Sequence, residues 1–371
     1  MNAKRIFDIC TAAFAAVAFA GAVHAAEFTY STWIPPGSSE VSEGMAPFLK
    51  RVEADSKGTF KSKIFTVGQM LDQRATLGGV RDQAVDSGFV LAGITPKELP
   101  YNALLGEFQS VNLNPLAAAA ANNEVFLLDC PQCIAEYKKN NAISLGGHSI
   151  SLFYLMCTKD LKTADDLKGL RIRAPLRIQR DAANFFGGTP VMTSFPEMVP
   201  ALQRGQADCT IGNKAWLTTF GLNDIVKTIV TSRYWGSLPG TGLFVVNSRS
   251  WDGLSDEVKK SMIRQFPRTV ADVTIDYFSK DGPALKLALK KGVKEAKLDA
   301  KFRSMWDKFI AGEPERIKEV AKRRGMSDPT PLFDTYKKVY HKWEGIVAKT
   351  GMDREKFAQA MWDEIYSKAK F

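Results

Sequence analysis

Residues Leu161–Pro175 read LKTADDLKGLRIRAP, and their reading decides the fold class. Thr163, Asp165 and Asp166 form an acidic, helix-favouring turn that runs into Lys168-Gly169. A short alternating strand follows, Leu170-Arg171-Ile172-Arg173, and Ala174-Pro175 ends it. Successive side chains of a strand point to opposite faces, so Leu170 and Ile172 share one face and Arg171 and Arg173 the other. An arginine at the carboxyl end of a strand stands where α/β proteins build their ligand crevices.

Strand and helix alternate in both directions from this segment. Upstream, residues 27–33 alternate as a strand and break at a Pro/Gly/Ser turn over 34–39. Ser38 or Ser39 is placed to cap a helix from near Glu40, with Met45, Phe48, Leu49 and Val52 at helical spacing. Strands are expected over 60–65 and 86–91, with a helical region between them opened by Gly68-Gln69-Met70. Further strands are expected over 149–157, 171–173, 189–192, 207–211, 227–231 and 240–247, with helices over 176–186 and 196–204. From Trp251 the chain turns helical, over 255–266, 269–291, 299–310, 314–324, 331–349 and 354–368. This is layered α/β grammar, repeated, with no flexible linker between the repeats. Two lobes with several chain crossings are expected. Lobe 1 takes 26–149 with 239–280, and lobe 2 takes 150–238 with 281–371.

Residues 1–25 read as a cleaved signal peptide. Lys4 and Arg5 form the basic end, an apolar run follows from Ile9 to about Ala22, and Val23-His24-Ala25 supplies the small residues of a cleavage site. Cys10 opens the apolar run rather than closing a lipobox, which argues against a lipid anchor. The formal net charge of +10 raises the local concentration of anionic solutes. The basic residues are dispersed and carry no nucleic-acid motif. Beyond the signal segment the cysteines are Cys130, Cys133, Cys157 and Cys209. Cys130-Pro131-Gln132-Cys133 has redox-motif spacing, but it follows a helix-like run inside a larger architecture, so a structural loop disulfide is expected. Whether Cys157 and Cys209 pair stays open. His148 and His341 form no metal-spaced pair, no Gly-x-Ser-x-Gly elbow is present, and no cofactor is expected.

Six segments in order carry a family resemblance. They are Trp33–Ser38 (WIPPGS), Gly68–Met70 (GQM), Val80–Gly88 (VRDQAVDSG), Asp165–Pro175 (DDLKGLRIRAP), Gly188–Val191 (GTPV) and Phe195–Gly205 (FPEMVPALQRG). Together they resemble the solute-binding subunit of tripartite ATP-independent periplasmic (TRAP) transporters. The resemblance covers most of the mature chain. It implies an α/β, two-lobe periplasmic binding protein with an inter-lobe ligand cleft, a long helix spanning the lobes, and C-terminal helices packed around them.

The resemblance also implies the site. Arg173 clamps the substrate carboxylate, with Arg171 as its solvated neighbour. Phe195 matches an aromatic at the mouth of the following helix. Asn213 stands about one residue late for the family's polar ligand contact, and Cys209 replaces a glycine. Trp216, Trp33 and Ser38 are further candidate contacts. Some relatives carry a second arginine on the preceding apolar strand, where this chain has Phe153-Tyr154-Leu155. That implies a ligand with one clamped carboxylate and an uncharged body, or a polar group met by Tyr154.

The implied function is capture of a small organic acid in the periplasm, without catalysis, and delivery to the large and small TRAP membrane subunits. The alternatives are a binding protein for an ABC or tripartite tricarboxylate transporter, and an exported oxidoreductase built on Cys130 and Cys133.

Overall fold

A computed structural model describes residues 27–326 and 328–371, so the expected signal peptide lies outside the described residues. In chain order the strands are β1 (Phe28–Ser31), β2 (Ser62–Phe65), β3 (Ser87–Gly88), β4 (Ala142–Ser144), β5 (Tyr154–Cys157) and β6 (Arg171–Arg173). They continue as β7 (Thr189–Val191), β8 (Cys209–Gly212), β9 (Thr228–Val230), β10 (Val245–Asn247) and β11 (Lys294–Ala296). Two sheets result, ordered β2-β1-β3-β10-β4 and β11-β9-β5-β8-β6-β7. In the first, β1 runs parallel to β2 and β3 while β10 is antiparallel to β3 and β4. In the second, β6 runs parallel to β7 and β8 while β5 is antiparallel to β8 and β9.

Each sheet thus borrows a strand laid down after the chain has visited the other lobe. The chain crosses between lobes after β4, again before β10, and a third time along the helix Asp256–Lys290. The three crossings meet at one buried place. The Ser149 hydroxyl donates to that of Ser237 at 2.5 Å, because the Ser237 hydroxyl itself donates to the Ile150 carbonyl. The Ser149 amide donates to the Thr274 hydroxyl of the helix at 3.3 Å. Gly147 lets the first two crossings touch, since a Cβ there would lie 2.2 Å from the Gly240 carbonyl oxygen.

Several expectations are corrected. The helices expected over 255–266 and 269–291 are one helix of 35 residues, Asp256–Lys290, with Pro267 and Pro283 inside it. A proline removes a backbone hydrogen bond and costs about 3 kcal/mol in a helix interior. Burial along Phe266–Tyr277 against elements of both lobes offsets that cost. Neither Ser38 nor Ser39 caps a helix. Ser39 instead donates to Asp276 at 2.6 Å, tying the first lobe to the long helix. The C-terminal segment, expected to lie with lobe 2, packs in part on lobe 1. The helix Thr330–Thr350 lies against Pro115–Glu124, with Tyr336 donating to Asn112 at 2.8 Å and the Trp343 indole to Glu124 at 2.6 Å. Its aromatic stripe buries against that alanine-rich helix, which shows no amphipathic pattern of its own.

Both cysteine pairs are bonded, Cys130 to Cys133 and Cys157 to Cys209. The first closes the turn that starts the helix Pro131–Lys139, and both of its sulfurs are buried, out of reach of an attacking thiolate. The second joins directly opposed residues of β5 and β8.

Asp281, on the long helix where it enters the second lobe, is half-buried and accepts from the Ser151 hydroxyl and the Ala215 amide. Burial pushes its carboxyl up to about 6. A raised carboxyl favours folding while protonated, so this contribution is present below the ordinary value near 3.8 and is lost as pH rises through about 6. Asp281→Asn is expected to flatten stability against pH between about 4 and 6, measured by urea denaturation in that window. An unchanged slope would refute the assignment.

Candidate functional site

Between the sheets lies a cleft lined from the first lobe by Trp33, Ile34, Glu40, Phe89 and Leu91. Phe153, Arg173, Leu176, Gln179, Phe195 and Trp216 line it from the second, and His148, Leu238, Pro239 and Tyr277 from the crossings. With its mouth it holds about 760 Å³ of open space.

Arg173 is placed by β6. Its backbone pairs with Val191 of β7 and Thr210 of β8, so the side chain leaves the carboxyl end of the second sheet. Arg171 shares its face, yet the two meet different surroundings. Arg171, one turn of the pleat earlier, is exposed and forks onto Asp208 at 3.0 and 3.1 Å. That fork holds the Asp208 carboxyl down at about 2. Arg173 is only 2 % exposed, and among the described residues its guanidinium has no carboxylate partner and its Nε no hydrogen bond. Burial pushes its pKa down to about 10, so at neutral pH it still carries its charge. Its guanidinium carbon lies 5.9 Å from the centre of the Phe195 ring.

Aromatic rings wall the cleft around this cation. Phe195 meets Trp33 edge-on at 5.4 Å across the lobes, Trp216 at 5.2 Å and Phe220 at 5.0 Å. Trp33 stacks on Phe89 at 5.2 Å and its indole N–H donates to the Phe89 carbonyl at 3.3 Å. Trp216 packs on the end of β8 because Gly212 leaves room; a Cβ there would fall 2.1 Å from the indole ring.

A second polar group faces the same cleft. Glu40 accepts from the Tyr277 hydroxyl at 2.7 and 2.8 Å, and its Oε1 lies 3.4 Å from His148 Nε2. All three residues are buried. The Trp216 indole N–H lies beside the Tyr277 hydroxyl without a well-formed hydrogen bond.

Two lobes around a cleft that holds a buried cation have the architecture of a solute receptor, and sequence comparison agrees. The family model of the bacterial extracellular solute-binding proteins, family 7, matches residues 31–312. The chain belongs to this family. No curated protein matches it. Among solved structures, a marine metagenome TRAP solute-binding protein specific for aromatic acid ligands, in complex with 3-hydroxybenzoate, is similar. It has 24% identity and a TM-score of 0.74 over 85% of this chain and 98% of its own. A TRAP periplasmic solute-binding protein from Desulfovibrio salexigens with bound orotic acid has 18% identity and a TM-score of 0.73, over 85% and 99%. A Bordetella pertussis extracytoplasmic solute receptor binding pyroglutamic acid has 18% identity and a TM-score of 0.72, over 84% and 100%. The two-lobe α/β fold read from sequence is therefore the fold of this solute-binding protein.

Of the candidate residues, the fold brings Arg173, Phe195, Trp216 and Trp33 to the cleft of the solute-binding protein. It does not bring Asn213, Ser38 or Tyr154 to the cleft wall. Asn213 is buried behind it, its Oδ1 accepting from the Trp216 amide at 3.2 Å, where it sets the turn that aims Trp216. Ser38 is buried in the turn after β1. Tyr154 turns to the far side of β5, where Lys214 sits 4.5 Å over its ring. Its neighbour Phe153 takes the cleft side, as alternation requires. Sequence reading missed Glu40, Tyr277 and His148. The one signal available was a lone histidine after Gly146-Gly147, at the start of a crossing.

Proposed function

We propose that this solute-binding protein serves a TRAP transporter, capturing a small organic acid in the periplasm and passing it to the large and small membrane subunits. One observation carries the reading: Arg173 is a charged guanidinium, buried in an aromatic cleft, with no carboxylate partner among the described residues. A buried charge is costly until it is paired, and a carboxylate pairs a guanidinium bidentately. The acids bound by proteins of the same fold support it. The ligand carries one clamped carboxylate and an uncharged, flat body that lies between Trp33, Phe195 and Trp216. Lobe closure dries the ion pair and converts binding into a shape the membrane subunits recognise. The protein itself performs no chemistry.

The test is a thermal-shift screen of the purified mature chain against mono- and dicarboxylic acids. An acid held at a hundred times its Kd is expected to stabilise the fold by about 2.7 kcal/mol, and monocarboxylates with apolar bodies should lead. Stabilisation by dicarboxylates alone would refute the single-carboxylate reading, and no response to any carboxylic acid would refute the organic-acid reading.

A further inference from the structure

We infer that Glu40 is a specificity-determining residue, which selects aromatic monocarboxylates carrying a ring hydroxyl and rejects dicarboxylates. This rests on the reading of Arg173 as the carboxylate clamp. Glu40 lines the cleft, is 5 % exposed, and among the described residues pairs with no lysine or arginine. The single Tyr277 proton is shared between its two oxygens, so each oxygen keeps room for a further donor.

His148 lies beside the same pole. Its Nε2 is 3.4 Å from Glu40 Oε1, without a well-formed hydrogen bond, and its ring lines the cleft. Glu40 therefore forms a hydrogen-bond-accepting pole, distinct from the donating pole at Arg173. A solute that fills the space between them has a carboxylate at one end and an O–H donor directed to the other. The walls of Trp33, Phe153 and Phe195 suit a flat ring as the body joining the two. A second carboxylate at the Glu40 pole would be desolvated beside a like charge and is excluded.

Tyr277 stands on the long helix, His148 on the first crossing and Glu40 at the start of the first-lobe helix. Three separate elements thus converge to hold one carboxylate in place. Glu40 is a binding residue in this scheme, and Tyr277 and His148 position it.

The experiment is calorimetric titration of the mature chain with benzoate, the three monohydroxybenzoates and the three benzenedicarboxylates, repeated on Glu40→Gln and Arg173→Ala. At least one hydroxy isomer is expected to bind about 10- to 100-fold tighter than benzoate, the span of a hydrogen bond to a charged group. Every dicarboxylate should bind more weakly than benzoate. Glu40→Gln should shrink the hydroxyl advantage, the ratio of hydroxybenzoate to benzoate affinity, several-fold, with circular dichroism reporting that the variant is folded. Hydroxybenzoates no tighter than benzoate would overturn the Glu40 assignment while leaving the clamp intact, as would a hydroxyl advantage that survives Glu40→Gln. Wild-type binding of none of these acids would also overturn the Glu40 assignment, the function then resting on the wider screen. Undiminished binding by Arg173→Ala would instead overturn the carboxylate reading on which it stands.

Discussion

Arg173→Ala is expected to lower organic-acid affinity by about 30-fold to several thousand-fold and to leave the fold standing. Truncating one partner of a desolvated charge pair costs about 2–5 kcal/mol, because the ligand carboxylate is then buried without its counter-charge. The same substitution removes from the unliganded chain a cation that has no carboxylate partner among the described residues, so stability should not fall with affinity. Arg173→Lys should recover only part of the binding, since an ammonium lacks the planar fork. Arg171→Ala provides the contrast. Its guanidinium is already committed to Asp208 on the solvent side, so affinity should hold. Calorimetric titration of the three variants with an acid from the screen decides the matter. Parental affinity in a folded Arg173→Ala would refute the clamp.

Arg177→Ala is expected to cost about 3–5 kcal/mol of folding stability, the usual consequence of removing one member of a buried ion cluster. Arg177 begins the helix Arg177–Phe185 that follows β6 and is 8 % exposed. It donates to Glu107 at 2.8 Å, to Asp181 at 2.8 Å, and also to Glu313. Arg324 reaches the other oxygen of Glu107 at 2.5 Å. Glu107 ends the helix Pro100–Glu107 of the first lobe, so the cluster bridges the lobes on the flank of the cleft. Without Arg177, Glu313 and Glu107 lose their shared cation in a buried setting. The closed arrangement loses a fastening as well, so ligand affinity should drop with stability. Urea denaturation measures the first effect and titration the second. A variant within about 0.5 kcal/mol of the parent would show the cluster to be energetically idle. Adding Glu107→Gln and Glu313→Gln to Arg177→Met should restore part of the loss, because the two buried carboxylates are then neutral while Arg324 gives up its partner Glu107.

The Arg173 side of the cleft was legible in sequence, and the Glu40 side was not. Arg173 was readable because strand alternation, the following proline and the segment's resemblance all act over fifteen residues. Phe195 and Trp216 lie on the next turns of the same lobe, close to Arg173 in sequence. Glu40 and Tyr277 are 237 residues apart, and only the lobe arrangement makes them neighbours. Asn213 shows the opposite failure. Its position in the sequence matched a contact, but the turn after β8 spends its side chain on the Trp216 amide. The long helix was hidden for a local reason. Pro267 reads as a breaker, and only burial from both sides explains why the helix continues. The strands β4 and β11 went unread because neither Ala142-Ile143-Ser144 nor Lys294-Glu295-Ala296 lies in an alternating or continuous apolar run.

Ser149, Ser237 and Thr274 gather the three crossings into one knot. In mechanical terms the first two crossings run side by side as one ribbon, laced by backbone hydrogen bonds from the pair Leu243 and Gly146 to the pair Trp235 and Phe153, with the knot pinning it to the long helix. Such a ribbon bends more easily than it shears or twists, since those motions would have to break hydrogen bonds that no water can replace. Capture then has a kinetic signature. A solute cannot reach a guanidinium shut behind aromatic rings until the joint has swung, so the observed rate of association should level off at high solute concentration at the frequency of that swing. A bulky residue at position 149 would slow the swing and the uptake together without altering any group the solute touches.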